Sequence, residues 1–407
     1  MTPGMVIIGA GECGASAARA LREAGYAGPV TLVGREPHPP YERPPLSKAA
    51  ITADAAPTPV PSAPGTPLAD LDIRHLRAEA TTIDRPGRRV RLTDGALLPY
   101  DRLLLATGAS PRRLPGAAFR RLLYLRSFDD ALALRPRLRS GGRTVVIGGG
   151  FLGLEIAAAA AALGGSVAVV EAEPRLLSRL VPAPIAAAVA AEHARHGVDL
   201  RLGRTVAAID DRTGAAEVRL DDGATLAAET IVAAIGALPD TALAAAAGLA
   251  TDNGIAADAH LGTSDPSILA AGDCASVPHP LYGDRRIRLE AWRSAREQGA
   301  LAGRNMAGAR EPHAAVPWFW SDQFDLGLQI SGLPDEGAET IRRDLGGGAF
   351  LLFHLAADGR LVAASGIGPG AAVGRDIRLA EMLIARRARP PRPTLAHAET
   401  RLKSLLA

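Results

Sequence analysis

The chain alternates between short, continuous apolar runs and longer stretches whose apolar residues recur at helical spacing. Met5-Val6-Ile7-Ile8, Val30-Thr31-Leu32-Val33 and Arg102-Leu103-Leu104-Leu105-Ala106 have the length and composition of strands buried on both faces. The first two flank a helical stretch at 14–24 and so predict a β-α-β unit. A proline-rich loop follows at 37–45, then a five-proline surface loop at 57–67 and hairpin strands over 81–92 turning at Pro86-Gly87. From about residue 114 the pattern restarts, with a helix at 129–138, strands at 144–147 and 166–170, and a long helix at 184–196. Its strand at 230–234 ends at Ile235-Gly236, an echo of Ala106-Thr107-Gly108. The second unit therefore reads as a repeat inserted into the first, and Ile268-Leu269-Ala270-Ala271-Gly272-Asp273 returns as the first unit's last parallel strand. From 317 onward the register changes to alternating strands at 326–331, 349–354 and 361–366, then a helix at 372–385.

Both units carry a glycine fingerprint between strand and helix. The first is Gly9-Ala10-Gly11-Glu12-Cys13-Gly14 and the second is Gly148-Gly149-Gly150-Phe151-Leu152-Gly153. In a G-x-G-x-x-G turn, the first glycine permits the tight bend and the second lets backbone approach a pyrophosphate. The third lets the helix pack closely on its strand, and the diphosphate meets the positive helix N-terminus. One such match is weak evidence; two in this context imply two dinucleotides in one chain, and hence electron transfer. The expected fold is α/β, with two Rossmann-like dinucleotide-binding domains, one inserted in the other, and a small α+β C-terminal domain. The boundaries are 1–113 with 236–316 for the first, 114–235 for the second and 317–407 for the third.

Composition narrows this picture. A balance of 46 basic and 43 acidic residues, with 4% aromatics, argues against a nucleic-acid binder. The long uncharged run at 156–170 is mostly alanine and is broken by Gly164-Gly165, so it reads as helix, turn and strand rather than a membrane span. A strand begins almost at once, without a basic head or cleavage region, which predicts no secretory signal. Two cysteines, Cys13 and Cys274, form neither a disulfide framework nor a C-x-x-C pair, and a reducing cytoplasm fits. The nine histidines show no H-x-x-x-H ligand pattern, so no bound metal is expected. Arginine clusters at 285, 286 and 288, at 342 and 343, and at 386, 387, 389 and 392 read mainly as solvated surface; their sharper reading is a docking face for a small acidic protein.

A carboxylate ending the second strand of each unit normally receives the adenosine ribose hydroxyls. Glu171 holds that place in the second unit, where an acid accepts from a 2′-hydroxyl, repels a 2′-phosphate and so favours NADH over NADPH. Arg175, four residues on, weakens that preference. In the first unit the place reads Gly34-Arg35-Glu36, with Glu36 displaced by one.

Further motifs appear in order: Tyr41-Glu42-Arg43-Pro44-Pro45-Leu46-Ser47-Lys48, Ala106-Thr107-Gly108, Thr263-Ser264-Asp265-Pro266 through Ala271-Gly272-Asp273, and Pro317-Trp318-Phe319-Trp320-Ser321-Asp322-Gln323. Together they make the whole chain resemble the FAD-dependent NADH:ferredoxin reductases of oxygenase systems, the putidaredoxin reductase and biphenyl dioxygenase reductase type. The dinucleotide motifs alone are shared with glutathione reductase and its relatives; the P-P-L-S-K and W-F-W-S-D-Q segments are narrower. The resemblance implies FAD on the first unit, NADH as substrate on the second, and a C-terminal domain covering the flavin.

It also assigns residues. Gly9, Gly11, Cys13, Gly14, Arg35, Glu36, Arg43, Ala80, Thr107, Gly108, Arg126, Gly272, Asp273 and Trp292 fall to FAD, with Cys13 and Ala80 acting through backbone. Asp273 is suited to the ribityl hydroxyls, with a following helix N-terminus toward the pyrophosphate; a simple helix N-cap is its plainer reading and is compatible with that role. Gly148, Gly150, Leu152, Gly153, Glu171 and Gly236 fall to NADH. In similar reductases Lys48 lies beside flavin N5, where a cation stabilises the reduced anionic ring, and Glu155 faces that lysine and the nicotinamide. A surface lysine and a helix-dipole glutamate are the plainer alternatives. Trp320 corresponds to a tryptophan at the dimethylbenzene edge, near the iron–sulfur partner; core packing is its plainer reading, and at least one of Trp318 and Trp320 is expected in the core. Two departures stand out. Arg35 replaces an acid, and Glu12 brings a negative charge to the diphosphate site.

The expected activity is hydride transfer from NADH to FAD, then single electrons to a small acidic [2Fe–2S] ferredoxin that serves a cytochrome P450 or Rieske-type oxygenase. The enzyme would be a cytoplasmic monomer or weak dimer without membrane or nucleic-acid partners. A disulfide reductase or NADH oxidase would need a reactive cysteine near the flavin, and Pro44-Pro45-Leu46-Ser47 offers none. A flavin-binding, redox-responsive interaction protein remains the alternative from another class.

Overall fold

A computed structural model describes residues 2–62, 65–116, 119–179, 181–211 and 214–406. Ala63 and Pro64, inside the five-proline loop, lie outside the described residues. The chain divides into two compact units. Residues 1–43, 59–110 and 238–315 form one; residues 44–58, 111–237 and 316–407 form the other.

The first unit is built on a five-stranded parallel sheet. The fingerprint strand Met5–Ile8 is central, with Val30–Gly34 and Ile73–Arg77 on one side and Arg102–Leu105 and Ile268–Ala270 on the other. Apolar side chains fill both faces, and Ile7, Leu32, Leu103, Leu104 and Leu105 are wholly buried. Each such side chain contributes about 1.5–3 kcal/mol relative to exposure. The strand Ile73–Arg77 escapes sequence reading because Arg74, His75 and Arg77 break its apolar run. The fingerprint helix Glu12–Glu23 packs along Trp292–Met306, a helix absent from the sequence expectation. Small residues bring these helices together: a Cβ on Gly299 would lie 2.2 Å from the Cys13 carbonyl oxygen. Strands Ala80–Asp84, Arg89–Leu92 and Leu97–Pro99 add an antiparallel sheet, with the expected turn at Pro86-Gly87 between the first two.

The second unit repeats this plan. Arg143–Ile147 is central, Ser166–Glu171 and Asp199–Leu202 lie to one side, and Thr230–Ala233 and Leu122–Leu123 to the other, all parallel. Even the antiparallel appendage recurs, as Val206–Asp210, Ala216–Leu220 and Thr225–Ala228. The two sheets thus match strand for strand, including Ile73–Arg77 and Leu122–Leu123, which the sequence reading did not place.

The same unit contains a five-stranded antiparallel sheet in the order Trp318–Gln323, Leu326–Gly332, Leu361–Pro369, Ala349–Leu355 and Glu339–Gly346, with helix Gly374–Ala385 after it. Its face residues Leu328, Ile330, Phe350, Leu352 and Ile367 share one core with Leu154, Ile185 and Val189. Leu154 lies on the second fingerprint helix, Phe151–Ala162, and the others on Ala183–Arg195. Residues 44–58, expected within the first domain, cluster with this unit. Arg135 explains why: its guanidinium donates to the carbonyls of Ala50, Ile51, Ala53, Asp54 and Ala55, capping the short helix Ala49–Thr52. Among the described residues, no helix is long and apolar enough to cross a membrane.

Candidate functional site

In the first unit, Gly9 bends the chain at φ +114°, and a Cβ there would sit 2.0 Å from the Ala106 carbonyl oxygen. A Cβ on Gly14 would lie 1.9 Å from the Gly9 oxygen, so only glycine lets this helix start so close to its strand. Gly11 is different. A Cβ there would meet nothing within 4 Å, and as the helix N-cap it leaves the first amides without a side-chain cap. Open space above uncapped amides fits a diphosphate.

Around this turn, Glu36 accepts from the Tyr41 hydroxyl and, at 2.6 Å, from Arg43. Both carboxylate oxygens are thereby engaged and held in place. Arg35 is exposed, 3.9 Å from Glu79 and from Asp240. Glu12 is buried in the first helical turn, with Ser16 Oγ 3.5 Å from Oε1. Burial raises the Glu42 carboxyl; Glu12 adds to the rise and Arg296 opposes it. The Thr107 hydroxyl donates to the Asp240 carbonyl at 2.6 Å, and Ala80 opens its strand. Trp292 begins the long helix with the Arg296 guanidinium 5.3 Å from its ring centroid.

One expectation in this unit needs correction. Gly272–Cys274 is a three-residue 3-10 turn followed by strand Ala275–His279, so Asp273 caps no α-helix. The turn is tied instead to the long helix, through the Gly272 N–H to Gln298 Oε1 at 2.9 Å. Cys13 also has a thiol neighbour, Cys274, distant in sequence. Burial raises its thiol well above the ordinary value, and Cys274 adds to the rise. Cys274 is also raised, chiefly by burial. Two buried, protonated thiols are poor nucleophiles.

In the second unit the turn is the same. Gly148 has φ +109°, a Cβ on Gly153 would lie 2.1 Å from the Gly148 oxygen, and Gly150 is open and uncapped. Glu171 accepts from the Gly149 N–H at 2.5 Å and the Glu173 N–H at 2.8 Å. Arg175 points elsewhere: it donates to the carbonyls of Leu176, Ser178 and Val181, and Arg204 pairs with Asp222 at 2.8 Å. The guanidinium that weakened the NADH preference is thus committed to its own loop. Leu152 is exposed, as is Gly236. Arg126 precedes the helix Phe128–Arg139, whose Ser127–Asp130 capping box also takes the Arg126 N–H.

A polar cluster of this unit centres on Glu155, in the first turns of the fingerprint helix. Its Oε1 accepts from Lys48 Nζ at 2.9 Å and Ser321 Oγ at 2.6 Å; its Oε2 accepts from Ser47 Oγ at 2.6 Å. Gln323 Nε2 donates in turn to Ser321 Oγ at 3.1 Å. The Lys48 ammonium is 6.0 Å from the Trp320 ring centroid. Trp318 and Trp320 stack at 5.3 Å, and both are half-buried, so neither is the core residue expected. Sequence reading paired Lys48 with Glu155 but assigned nothing to Ser47, Ser321 or Gln323. One signal was missed altogether: of 46 basic residues only Lys48 and Lys403 are lysine. A chain that uses arginine almost everywhere keeps an ammonium at position 48.

The arginine clusters are largely engaged. Arg342 pairs with Asp344, Arg389 with Asp358 and Arg392 with Glu339; Arg343 is buried on the carbonyls of Ala398 and Thr400; Arg286 donates to the Ala257 and Ser276 carbonyls. Among the described residues no cluster of three or more His, Cys, Asp or Glu is placed to hold a metal.

The pyridine nucleotide-disulphide oxidoreductase family matches residues 3–299, and the reductase C-terminal domain matches residues 318–406. The ferredoxin--NAD(+) reductase component of the anthranilate 1,2-dioxygenase system of Burkholderia cepacia is 40% identical, covering 98% of each chain. The ferredoxin reductase of the CYP199A2 system from Rhodopseudomonas palustris superimposes with a TM-score of 0.94 at 34% identity, over 100% of both chains. Putidaredoxin reductase, in a covalent complex with putidaredoxin, does so at 0.93 and 35% identity, over 100% of this chain and 98% of the other. The chain belongs to the pyridine nucleotide-disulphide oxidoreductase family, an oxidoreductase family that couples FAD to NAD(H).

Proposed function

We propose that this oxidoreductase is an NADH-dependent ferredoxin reductase that passes electrons to a small acidic [2Fe–2S] protein of a cytochrome P450 or Rieske-type oxygenase system. It acts in the cytoplasm as a monomer or weak dimer. FAD belongs to the first fingerprint and NADH to the second. When bound, FAD supplies the conversion between a two-electron hydride transfer and one-electron release.

The residues do the rest. Amides at Gly11 and Gly150 receive the diphosphates, Glu36 and Glu171 the adenosine riboses, and Asp273 the ribityl hydroxyls. Thr107, Gly108, Ala80, Cys13, Arg35, Arg43, Arg126 and Trp292 complete the FAD contacts; Gly236 and Leu152 complete those to NADH. Lys48 brings positive charge to the hydride-accepting locus, Glu155 orients that ammonium, and Trp320 shields the locus on the acceptor's side.

The observation that carries this reading is the Lys48–Glu155 pair at 2.9 Å, joining the Pro-Pro-Leu-Ser-Lys segment to the second fingerprint helix. Burial, which raises the Cys13 and Cys274 thiols, disfavours disulfide reduction. Turnover is the test. NADH should drive fast ferricyanide reduction, and cytochrome c reduction only once a [2Fe–2S] ferredoxin is added. Ferricyanide reduction with no ferredoxin-dependent rate would replace the reductase by a redox-responsive interaction protein.

A further inference from the structure

The Glu155 cluster has more donors than an ion pair needs. The glutamate side chain is 10% exposed and that of Lys48 27%. A carboxylate so buried is stranded when its only cation leaves, which would lock a simple pair shut. Here two hydroxyls also reach it, both at 2.6 Å and both from fixed positions. Ser321 is wholly buried in the strand Trp318–Gln323; Ser47 is buried at the end of the turn Pro44–Ser47. Their proton directions are forced. An ionised carboxylate only accepts, so both serines donate to it, and Ser321 turns a lone pair to the Gln323 amide.

Lys48 is anchored differently. Its carbonyl oxygen accepts from the Ile51 and Thr52 amides, and Arg135 caps the helix that follows. Backbone is fixed, while the side chain reaches Glu155 on a flexible four-carbon stem. The Trp320 ring, 6.0 Å away, offers the ammonium a second attractive face. An arginine at this position would close a bidentate fork on the carboxylate; lysine makes a single, exchangeable contact. In a chain with only two lysines, that difference is informative.

We propose that Ser47 and Ser321 are positioning residues that hold Glu155 in place without Lys48, which makes Lys48 the movable member of the cluster. The inference deepens the reductase reading and rests on it for the meaning of the movement: the ammonium leaves Glu155 when negative charge builds up at the hydride-accepting locus and returns when that charge is gone. No bond is made or broken in this step, and no proton changes owner.

The scarcity of lysine supplies the test. A water-soluble amine-acylating reagent is applied to the full-length holoprotein, and modification is read residue by residue by mass spectrometry, with exposed Lys403 as internal reference. In the wild type, Lys48 should react within about tenfold of Lys403. In Ser47→Ala/Ser321→Ala, Lys48 is left as the sole donor to Glu155, and the Lys48-to-Lys403 ratio should fall about tenfold. Ser321→Thr, which keeps the hydroxyl, should stay within about twofold of wild type, and Ser47→Ala alone should give a fall of about threefold. With Glu155→Gln in place, removing the serines should change nothing further. An unchanged or higher ratio in the double variant overturns the proposal, as does a serine effect that survives Glu155→Gln. A parallel stopped-flow measurement separates the two readings. Failure of NADH to reduce the wild type would sink the reductase reading, while the labelling ratio would still judge the serines.

Discussion

The two glycine turns are nearly superimposable in design, yet their carboxylates are treated in opposite ways. Glu36 is clamped on both oxygens by side chains, Tyr41 and Arg43, from the segment just after it. Among the described residues, Glu171 is met only by backbone N–H groups, those of Gly149 and Glu173, and the nearby Arg175 turns away. Side-chain clamps preorganise a site for a ligand that stays. A carboxylate resting on amides of its own turn and loop, with no side chain across it, leaves its outer face to a ligand that comes and goes. The shared geometry suits a dinucleotide at each turn; under the proposed assignment, the surroundings distinguish the resident one.

Breaking each turn separately gives the largest effect. Gly14→Ala and Gly153→Ala both force a Cβ to about 2 Å from a carbonyl oxygen, an overpacking strain of about 1–3 kcal/mol or more. Gly14→Ala should yield protein without flavin colour. Gly153→Ala should stay yellow and be reduced by dithionite, with its KM for NADH raised at least about 100-fold. If both variants lose flavin alike, the division of labour between the turns is wrong.

Lys48→Met should retain flavin and NADH affinity while slowing flavin reduction about 100-fold, as expected when a preorganised charge is removed from a reacting centre. Stopped-flow absorbance reads it directly. A rate within twofold of wild type would take Lys48 out of the chemistry.

Acid should weaken the second unit's antiparallel sheet measurably. Burial holds His354 at about 4, between the Thr340 and Ser365 hydroxyls. A histidine lowered in the folded state binds its proton more readily when unfolded, so stability is intact above pH 6.5 and falls as pH drops from 6.5 toward 4. The loss is about 3 kcal/mol at most. His354→Gln should flatten that part of the stability profile in urea denaturation; an identical slope would contradict it.

Glu171→Ala should narrow the preference for NADH over NADPH about tenfold, measured as the ratio of the two kcat/KM values. The smallest effect concerns salt. Because most clustered arginines already have carboxylate or carbonyl partners, the ferredoxin-coupled rate should fall only about two- to threefold between low and physiological ionic strength, with ferricyanide reduction nearly flat. A steeper decline would mean that those arginines are available to a partner after all.

Much of the architecture was legible because parallel sheets buried on both faces write themselves as apolar runs, and Met5–Ile8, Arg102–Leu105 and Arg143–Ile147 are such runs. Ile73–Arg77 was not legible, since an edge strand with Arg74 and His75 carries no such signature. The turn at Gly272-Asp273 was misread because a strand–Gly–Asp pattern suits a helix start equally well, and only tertiary structure shows the chain going on into Ala275–His279. Lys48 and Glu155, 107 residues apart, were joined through resemblance rather than periodicity. Ser47 and Ser321 lie within the two narrow motifs, but neither motif says what its serine does: that shows only when two distant segments converge on one carboxylate.

Anaerobic titration of the purified yellow protein with NADH, followed in the visible flavin bands, tests the core of the account. Stoichiometric bleaching by NADH, reversed when an oxidised [2Fe–2S] ferredoxin is added, is the predicted result. A protein that takes up no flavin, or whose flavin dithionite bleaches and NADH does not, would contradict it.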